Sequence, residues 1–553
     1  MTFGILSLLP SAIAILLAII TRRVLASLGI AVVVGALLLA WRLPVSPEPF
    51  GEGSMLPEAF RGSFPLRSLG YLGSHLYFSV FDFDHIRVLV FSLLLGGMTG
   101  VLEASQSMRA VMQTLAARIR GRKGGQSLIA GMGLAIFFDD YANTLLLGGT
   151  MRRVSDKLRI SRAKLAYLVD STAAPVAGLA VVSTWVATEI SLIGEGIPEG
   201  VDVTAFSLFL QSIAYRFYPV FALILVLVIA RTGRDFGPML AAEREAVRGI
   251  PAGENASNDQ PDSDAILPPA RGWQWISAVL PVVLCVFAVG WSLYQTGTAT
   301  LLESGDRIPP GVEGWGLIIG NADSYNALVI GGATGLLAAV LLGWMADFTF
   351  AGLRTLGIGI LRGAWQIMPA MFVLWLAWAL SAMADEGHLD AGGYLKNQIS
   401  DRLAEWALPT VVFLVAALVA FSTGTSWGTM ALLTPLAVQL GFQVSGGAEV
   451  NASVLAATGA VLAGSIMGDH CSPISDTTVL SSRACGCDHV QHVRTQMPYS
   501  LLAGGVAVGA GTLPAAMGMS PWIGMVIGAA ALYGVVRFCG QDVSLLAVEE
   551  EMS

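Results

Sequence analysis

The chain has 553 residues, 54% hydrophobic and 13% charged, with a formal net charge of −8 and a mean hydropathy of +0.68. A soluble domain carries about 25% charged residues, so these values exclude a soluble globular protein and predict an all-α polytopic membrane protein. Its apolar runs are continuous rather than alternating, which argues against a β-barrel, and its five scattered cysteines argue against a disulfide framework.

In chain order, apolar stretches predict about eleven spans, at 3–20, 24–43, 86–104, 164–193, 204–230, 273–295, 326–347, 364–384, 451–480, 497–518 and 521–539. The first lacks a preceding basic residue and a following small-residue cleavage site, so it reads as a retained helix rather than a signal peptide. Basic residues orient the spans. Arg22 and Arg23 place the first connection inside; the acidic 44–84 connection falls outside; Arg109 to Lys123 bring the chain back inside. The apolar stretch 125–151 is followed by six cations in Arg152–Lys164. With both ends on one side, it should be a re-entrant hairpin with its tip near Phe137–Asn143, where irregular backbone needs a protein or wet surround.

Glu195, Glu199 and Asp202 fall outside, and the polar segment Arg231–Arg271 inside, where it reads as a flexible linker. In the second half the apolar stretch 408–440 has cation-poor flanks at both ends and should be a second hairpin, entering from outside, with its tip near Phe421–Thr429. Each half then contains spans, a re-entrant hairpin and a broken helix, with every direction reversed in the second: two inverted-topology repeats, an arrangement many secondary transporters use. The expected divisions are 1–232 for the first repeat, 233–271 for the cytoplasmic linker, 272–518 for the second repeat, and 519–553 for the last span and a cytoplasmic tail.

Ionisable groups at membrane depth are costly and usually mark an ion or substrate path. Two polar runs interrupt apolar stretches. In Gly468–Ser482 (GDHCSPISDTTVLSS), Pro473 and Gly468 should unwind the helix around Asp469–Asp476. That frees carbonyls beside the oxygens of Asp469, Ser472, Ser475, Asp476, Thr477 and Thr478, which suit a hard cation. The alternative is a polar cytoplasmic loop. Asp170–Pro175 (DSTAAP) repeats the design with Asp170, Ser171 and Thr172, and a break there would explain a stretch of about 30 residues. The alternative is a Pro-kinked helix. At the first hairpin tip, Asp139 and Asp140 are adjacent carboxylates that need a cation or a shared proton, with Tyr141 and Asn143 to orient them; a solvated mouth is the alternative. The second tip offers only neutral groups, among them Ser422, Thr423, Thr425 and Ser426. Cys485, Cys487, His489 and His492 invite a zinc reading, but their spacing departs from the usual patterns, and a juxtamembrane loop is the better expectation.

The block 137–185 (FFDDYANTLLLGGT…VDSTAAPVAGLAVVSTW), together with GDHCSPISDTTVLSS and CDHVQHVRTQMPY, resembles the NhaC-type Na+/H+ antiporter family of the wider ion-transporter group. The resemblance implies a bacterial-type inner-membrane exchanger with paired hairpins, elevator-like movement and Na+ as coupling ion. It leaves the substrate open, since relatives include exchangers coupled to small carboxylates such as malate and lactate. The functional expectation is Na+/H+ exchange through mid-membrane carboxylates, with Na+ held by Asp170, Asp469 and Asp476. The alternative is Na+- or H+-coupled exchange of small organic anions or amino acids; no Arg is found at a hairpin tip, which tilts the expectation to simple cation exchange. Expected partners are Na+, H+, the lipid bilayer, a small organic anion in the alternative reading, and a second copy of the chain as a homodimer. No cofactor and no nucleic acid is expected. An intramembrane aspartyl hydrolase needs two carboxylates around one water, but not the hydroxyl-rich breaks.

Overall fold

The computed structural model describes residues 3–42, 63–119, 121–198, 200–249, 270 and 272–543, the last with short interruptions at 306–307, 347, 386–387, 392–393, 395–403 and 447–448. It is nearly all helix. The first half comprises α1 (Leu9–Thr21), α2 (Val24–Arg42), α3 (Phe64–Phe81), α4 (Phe83–Ala104), α5 (Ser107–Ala116), α6 (Arg122–Ala135), α7 (Asp140–Lys157), α8 (Arg162–Ala177), α9 (Val186–Gly194), α10 (Ala205–Ser212) and α11 (Phe217–Thr232). After α12 (Gly237–Val247), the second half comprises α13 (Gly272–Ser304), α14 (Val312–Gly320), α15 (Ser324–Ala346), α16 (Phe350–Ala384), α17 (Leu408–Thr423), α18 (Ser426–Val444), α19 (Ala452–Cys471), α20 (Asp476–Cys485), α21 (His489–Val506), α22 (Leu513–Ala516) and α23 (Pro521–Cys539). Among the described residues ten helices are long and apolar enough to cross a membrane, or eleven if the pair bent by 48° at Arg216 is one span.

Local capping sets several of these ends. Asp82 accepts from the backbone N–H of Asp84 (2.9 Å) and His85 (3.1 Å) at the start of α4. Asn451 does the same for Ser453 and Val454 at α19, and Asp488 for Gln491 at α21. Such side chains satisfy N–H groups that have no partner within the helix. Close helix crossings depend on small residues. Gly96 and Gly100 on α4 face Gly359 and Gly363 on α16 so closely that a methyl on Gly100 or Gly363 would overlap the opposite carbonyl. Gly464 and Gly468 on α19 press likewise against the Phe413 and Ala417 carbonyls of α17, seating the second hairpin on the broken helix of its own half.

Several expectations need correction. Residues 64–81, taken as part of an outer loop, form α3: Tyr71, His75 and Ser79 bury one face of it, a 3.6-residue period hidden by its modest overall hydropathy. Of the 44–84 connection, 44–62 lies outside the described residues. The stretch 164–193 does break, but not at Asp170–Pro175. One Pro removes a single backbone bond, and α8 continues through Pro175 with every residue from Ala163 to Ala177 buried. The break runs from Gly178 to Trp185, where the Ser183 hydroxyl donates to Ala177 O (2.8 Å) and accepts from Trp185 N (3.2 Å) and Val186 N (3.3 Å). The linker is ordered at its start. Arg234–Asp235 (β1) pairs antiparallel with Gln541–Asp542 (β2), and Asp235 is buried against Lys164 while accepting from Tyr499 OH at 2.7 Å. Glu243 on α12 pairs with Arg122 and accepts from Ser161 N at 2.7 Å. Burial raises the Glu243 carboxyl above its ordinary range, and Asp235 nearby adds to the rise. Residues 250–269 lie outside the described set.

Candidate ion and substrate site

Both expected hairpins are helix–turn–helix. In the first, α6 and α7 are joined through 136–139; Asp139 caps α7 by accepting from Ala142 N at 2.6 Å. Asn143, expected to orient the carboxylates, instead donates to Gly133 O (2.8 Å) and Ile136 O (3.2 Å) and closes the turn. In the second, Gly424 (φ +70°) ends α17 and Thr425 caps α18 through Gly428 N (3.3 Å). Glu405–Thr423 is itself long enough to span, so length alone does not make this pair re-entrant.

Each tip is tied to the break of its own half. Thr184 N donates to Phe138 O at 2.9 Å, and the Ser472 hydroxyl donates to Phe421 O at 2.7 Å. Across the halves, Trp185 and Trp427 stack edge to face with centroids 5.2 Å apart.

Asp469 lies in the last turn of α19 and Asp476 begins α20, with 472–475 unwound between the helices, a shorter break than the Asp469–Asp476 the sequence led us to expect. Asp469 is 0% exposed; its two oxygens accept from Ser475 Oγ (2.8 Å) and Thr477 Oγ1 (2.6 Å). The next residue on α20, Thr478, directs its hydroxyl to Asp170 Oδ2 at 3.5 Å. Two consecutive hydroxyls thus touch carboxylates from the two halves. Asp170 Oδ2 also accepts from Gln496 Nε2 (2.5 Å) and lies 3.4 Å from His492 Nε2, while its Oδ1 is buried without a hydrogen-bond partner. Asp476 accepts from Tyr141 OH at 2.7 Å, bridging the first hairpin tip to α20. Asp140 is buried beside the Trp185 side chain, with neither oxygen in a hydrogen bond of good geometry. Asp139, Asp140, Asp476, Asp469 and Asp170 therefore form a line in which neighbours lie within electrostatic reach.

The remaining expected ligands are mixed. Ser171 is buried on α8. Thr172, Ser422 and Thr423 donate to carbonyls of the preceding turn, at 2.8 Å each, which leaves only their lone pairs for a ligand. Ser426 is buried with its hydroxyl unpaired. The zinc reading finds no support. Among the described residues no three His, Cys, Asp or Glu side chains are grouped to hold a metal, Asp170, Asp469 and Asp476 included, and His489 and His492 bond instead to Pro473 O (2.6 Å) and Ser481 Oγ (3.0 Å).

A cavity of about 610 Å³ opens beside this line. Asp139, Asp140, Tyr141, Thr184, Thr423, Gly424, Thr425, Trp427, Ile474 and Asp476 line it together with Arg22 and Arg23 from the α1–α2 turn and residues of α16. These arginines and Gln496 were missed as site residues. Nothing local marks Gln496, and Arg22 and Arg23 read only as topology signals until the fold brings them against both tips.

Residues 176–512 match the sequence profile of the Na+/H+ antiporter family. The chain belongs to this family. An uncharacterised protein of Haemophilus influenzae is 30% identical over 98% of this chain and 94% of its own length. The malate-2H+/Na+-lactate antiporter of Bacillus subtilis is 30% identical over 30% of this chain and 33% of its own length. The crystal structure of the Alcanivorax borkumensis YdaH transporter aligns over 94% of this chain and 98% of its own with a TM-score of 0.59 at 15% identity, a likeness of fold. A multi-pass chain of this family is a transporter, which disposes of the hydrolase reading.

Proposed function

We propose that this antiporter-family member exchanges Na+ for H+ across the cytoplasmic membrane, with the two ions competing for Asp170, Asp469 and Asp476. The observation that carries the reading is the pair of adjacent hydroxyls on α20, with Thr477 on Asp469 and Thr478 on Asp170. Clustered buried carboxylates cannot all ionise cheaply. A cation relieves their repulsion, and so does a proton, so loading one expels the other. The hydroxyls of Ser475, Thr477 and Thr478 can turn lone pairs towards a hard cation, which favours oxygen ligands. Asp476, hydrogen-bonded to Tyr141 and open to the cavity, passes ions between the cavity and the buried carboxylates Asp469 and Asp170.

The matching ties between tip and break in each half support inverted repeats at 1–232 and 272–518, with the hairpin bundle moving against the remaining helices to alternate access. The end carrying Arg122, Arg152, Arg162 and the β1–β2 ribbon is the basic one, which favours placing it in the cytoplasm. In proteoliposomes holding a pH-sensitive dye, Asp469→Asn and Asp170→Asn should each reduce Na+-driven pH change to the level of empty liposomes. Wild-type rates in either would overturn the assignment.

A second reading rests on the cavity, whose volume suits a small molecule. Its lining combines two arginines with acidic and hydroxyl groups, a set fitted to an organic anion or an amino acid, and the Bacillus subtilis relative's name includes carboxylates. Na+-driven pH change in vesicles free of organic solute would favour plain cation exchange. If exchange appears only with solute present and is lost in Arg22→Gln/Arg23→Gln, the second reading prevails.

A further inference from the structure

Glu189 and Arg216 form a buried ion pair (Arg216 Nη1 to Glu189 Oε2, 2.5 Å), each 1% exposed, that the exchange cycle above does not use. Arg216 sits at the 48° bend between α10 and α11. Its guanidinium donates to the carbonyl of Gly178, the C-cap of α8, and to Ser212 Oγ at 3.3 Å, and it lies 4.6 Å from the centroid of the Phe209 ring. The negative end of the α8 dipole, a carboxylate and a hydroxyl thus converge at the break of the first half, with Glu189 Oε1 buried and unpaired. Beside the break of the second half, Asp469 has the hydroxyls of Ser475 and Thr477, and among the described residues neither Lys nor Arg pairs with it. One break carries a cation fixed to the chain; the other has the oxygens and lacks the cation.

We propose that Arg216 is a built-in cation occupying a cation-binding pocket formed by Gly178 O, Glu189 and Ser212, so that only the second-half break is open to a mobile Na+. The role of the second break rests on the proposed Na+ reading; the pocket itself does not. Arg216 is then a residue that sets the number of transported cations, and its removal converts the first break into a second Na+ site. A buried carboxylate stripped of its partner is strongly destabilising unless an ion replaces it.

The test is thermal stability of the purified full-length protein in detergent, in NaCl against choline chloride at equal ionic strength. Arg216→Ala should be destabilised in choline and regain at least about 3 °C more in NaCl than the wild type does, as expected for a ligand that binds only the folded state. Glu189→Gln/Arg216→Met, which removes both charges, should lack that extra Na+ response, and Arg216→Lys should behave as wild type. An Arg216→Ala protein whose Na+ response equals the wild type's, or which fails to fold at every Na+ concentration while the double variant folds, overturns the proposal. If instead the wild type shows no Na+ response and Arg216→Ala gains one, the pocket stands and Na+ as the native substrate falls.

Discussion

At 136–139 and again at 424–425 the chain reverses between two helices, and the two turns are built alike from different side chains. Asp139 Oδ1 caps α7 through Ala142 N; Thr425 Oγ1 caps α18 through Gly428 N. Phe138 O and Phe421 O each bond to the break of their own half. Asp and Thr both serve as helix caps, so the carboxylate of Asp139 needs no function to explain it. The next position is different. Asp140 and Ser426 are both buried with unpaired side-chain oxygens, but an unpartnered hydroxyl costs about 1–3 kcal/mol, while a buried carboxyl must take up a proton or a cation to avoid the larger cost of an unpaired charge. Capping does not account for Asp140, and the exchange cycle proposed above would supply it with a partner.

The largest expected difference lies at that pair of positions. Asp140→Asn should slow Na+-driven pH change in proteoliposomes by at least about tenfold, a barrier increase of roughly 1.4 kcal/mol. Ser426→Ala should stay within about twofold of wild type. If the serine variant proves the slower, the second tip rather than the first carries the ion, and the acidic line from Asp139 to Asp170 loses its meaning.

The polar interruptions were readable because carboxylates and prolines stand out against apolar sequence. Asp469 and Asp476 do flank an unwound segment, where Pro473 interrupts the backbone pattern just after α19 ends. Pro175 gave the same signal and misled: α8 is buried all round, so packing outweighs one missing bond, and the break waits for the Ser183 hydroxyl that serves both helix ends. Long-range placement was the part that sequence could not carry. Gln496 meets Asp170 across 326 positions and Tyr141 meets Asp476 across 335, while Arg22 and Arg23, read as markers of the inner face, turn out to line the cavity. No arginine lies at either tip along the chain, yet two share the cavity that both tips line.

Two smaller effects sharpen the comparison between tips. Gly424 alone has a left-handed backbone there, and a Cβ would lie 2.6 Å from Ile474 O. Gly424→Ala should therefore cost about 1–3 kcal/mol, read as a lower unfolding temperature in detergent, whereas Ala142→Gly in the first hairpin should cost less than about 1 kcal/mol. An equal loss in both would mean that the second turn relaxes around the added methyl. The smallest effect concerns the caps themselves. Asp139→Ala and Thr425→Ala should each lower stability by about 1 kcal/mol, and Asp139→Thr by only a few tenths, because Thr can accept the same N–H. If Asp139→Thr keeps both its unfolding temperature and its exchange rate, that carboxylate is a cap and the first tip's chemistry belongs to Asp140. Exchange lost with stability retained would give Asp139 a share in the ion path that its hydrogen bond to Ala142 conceals.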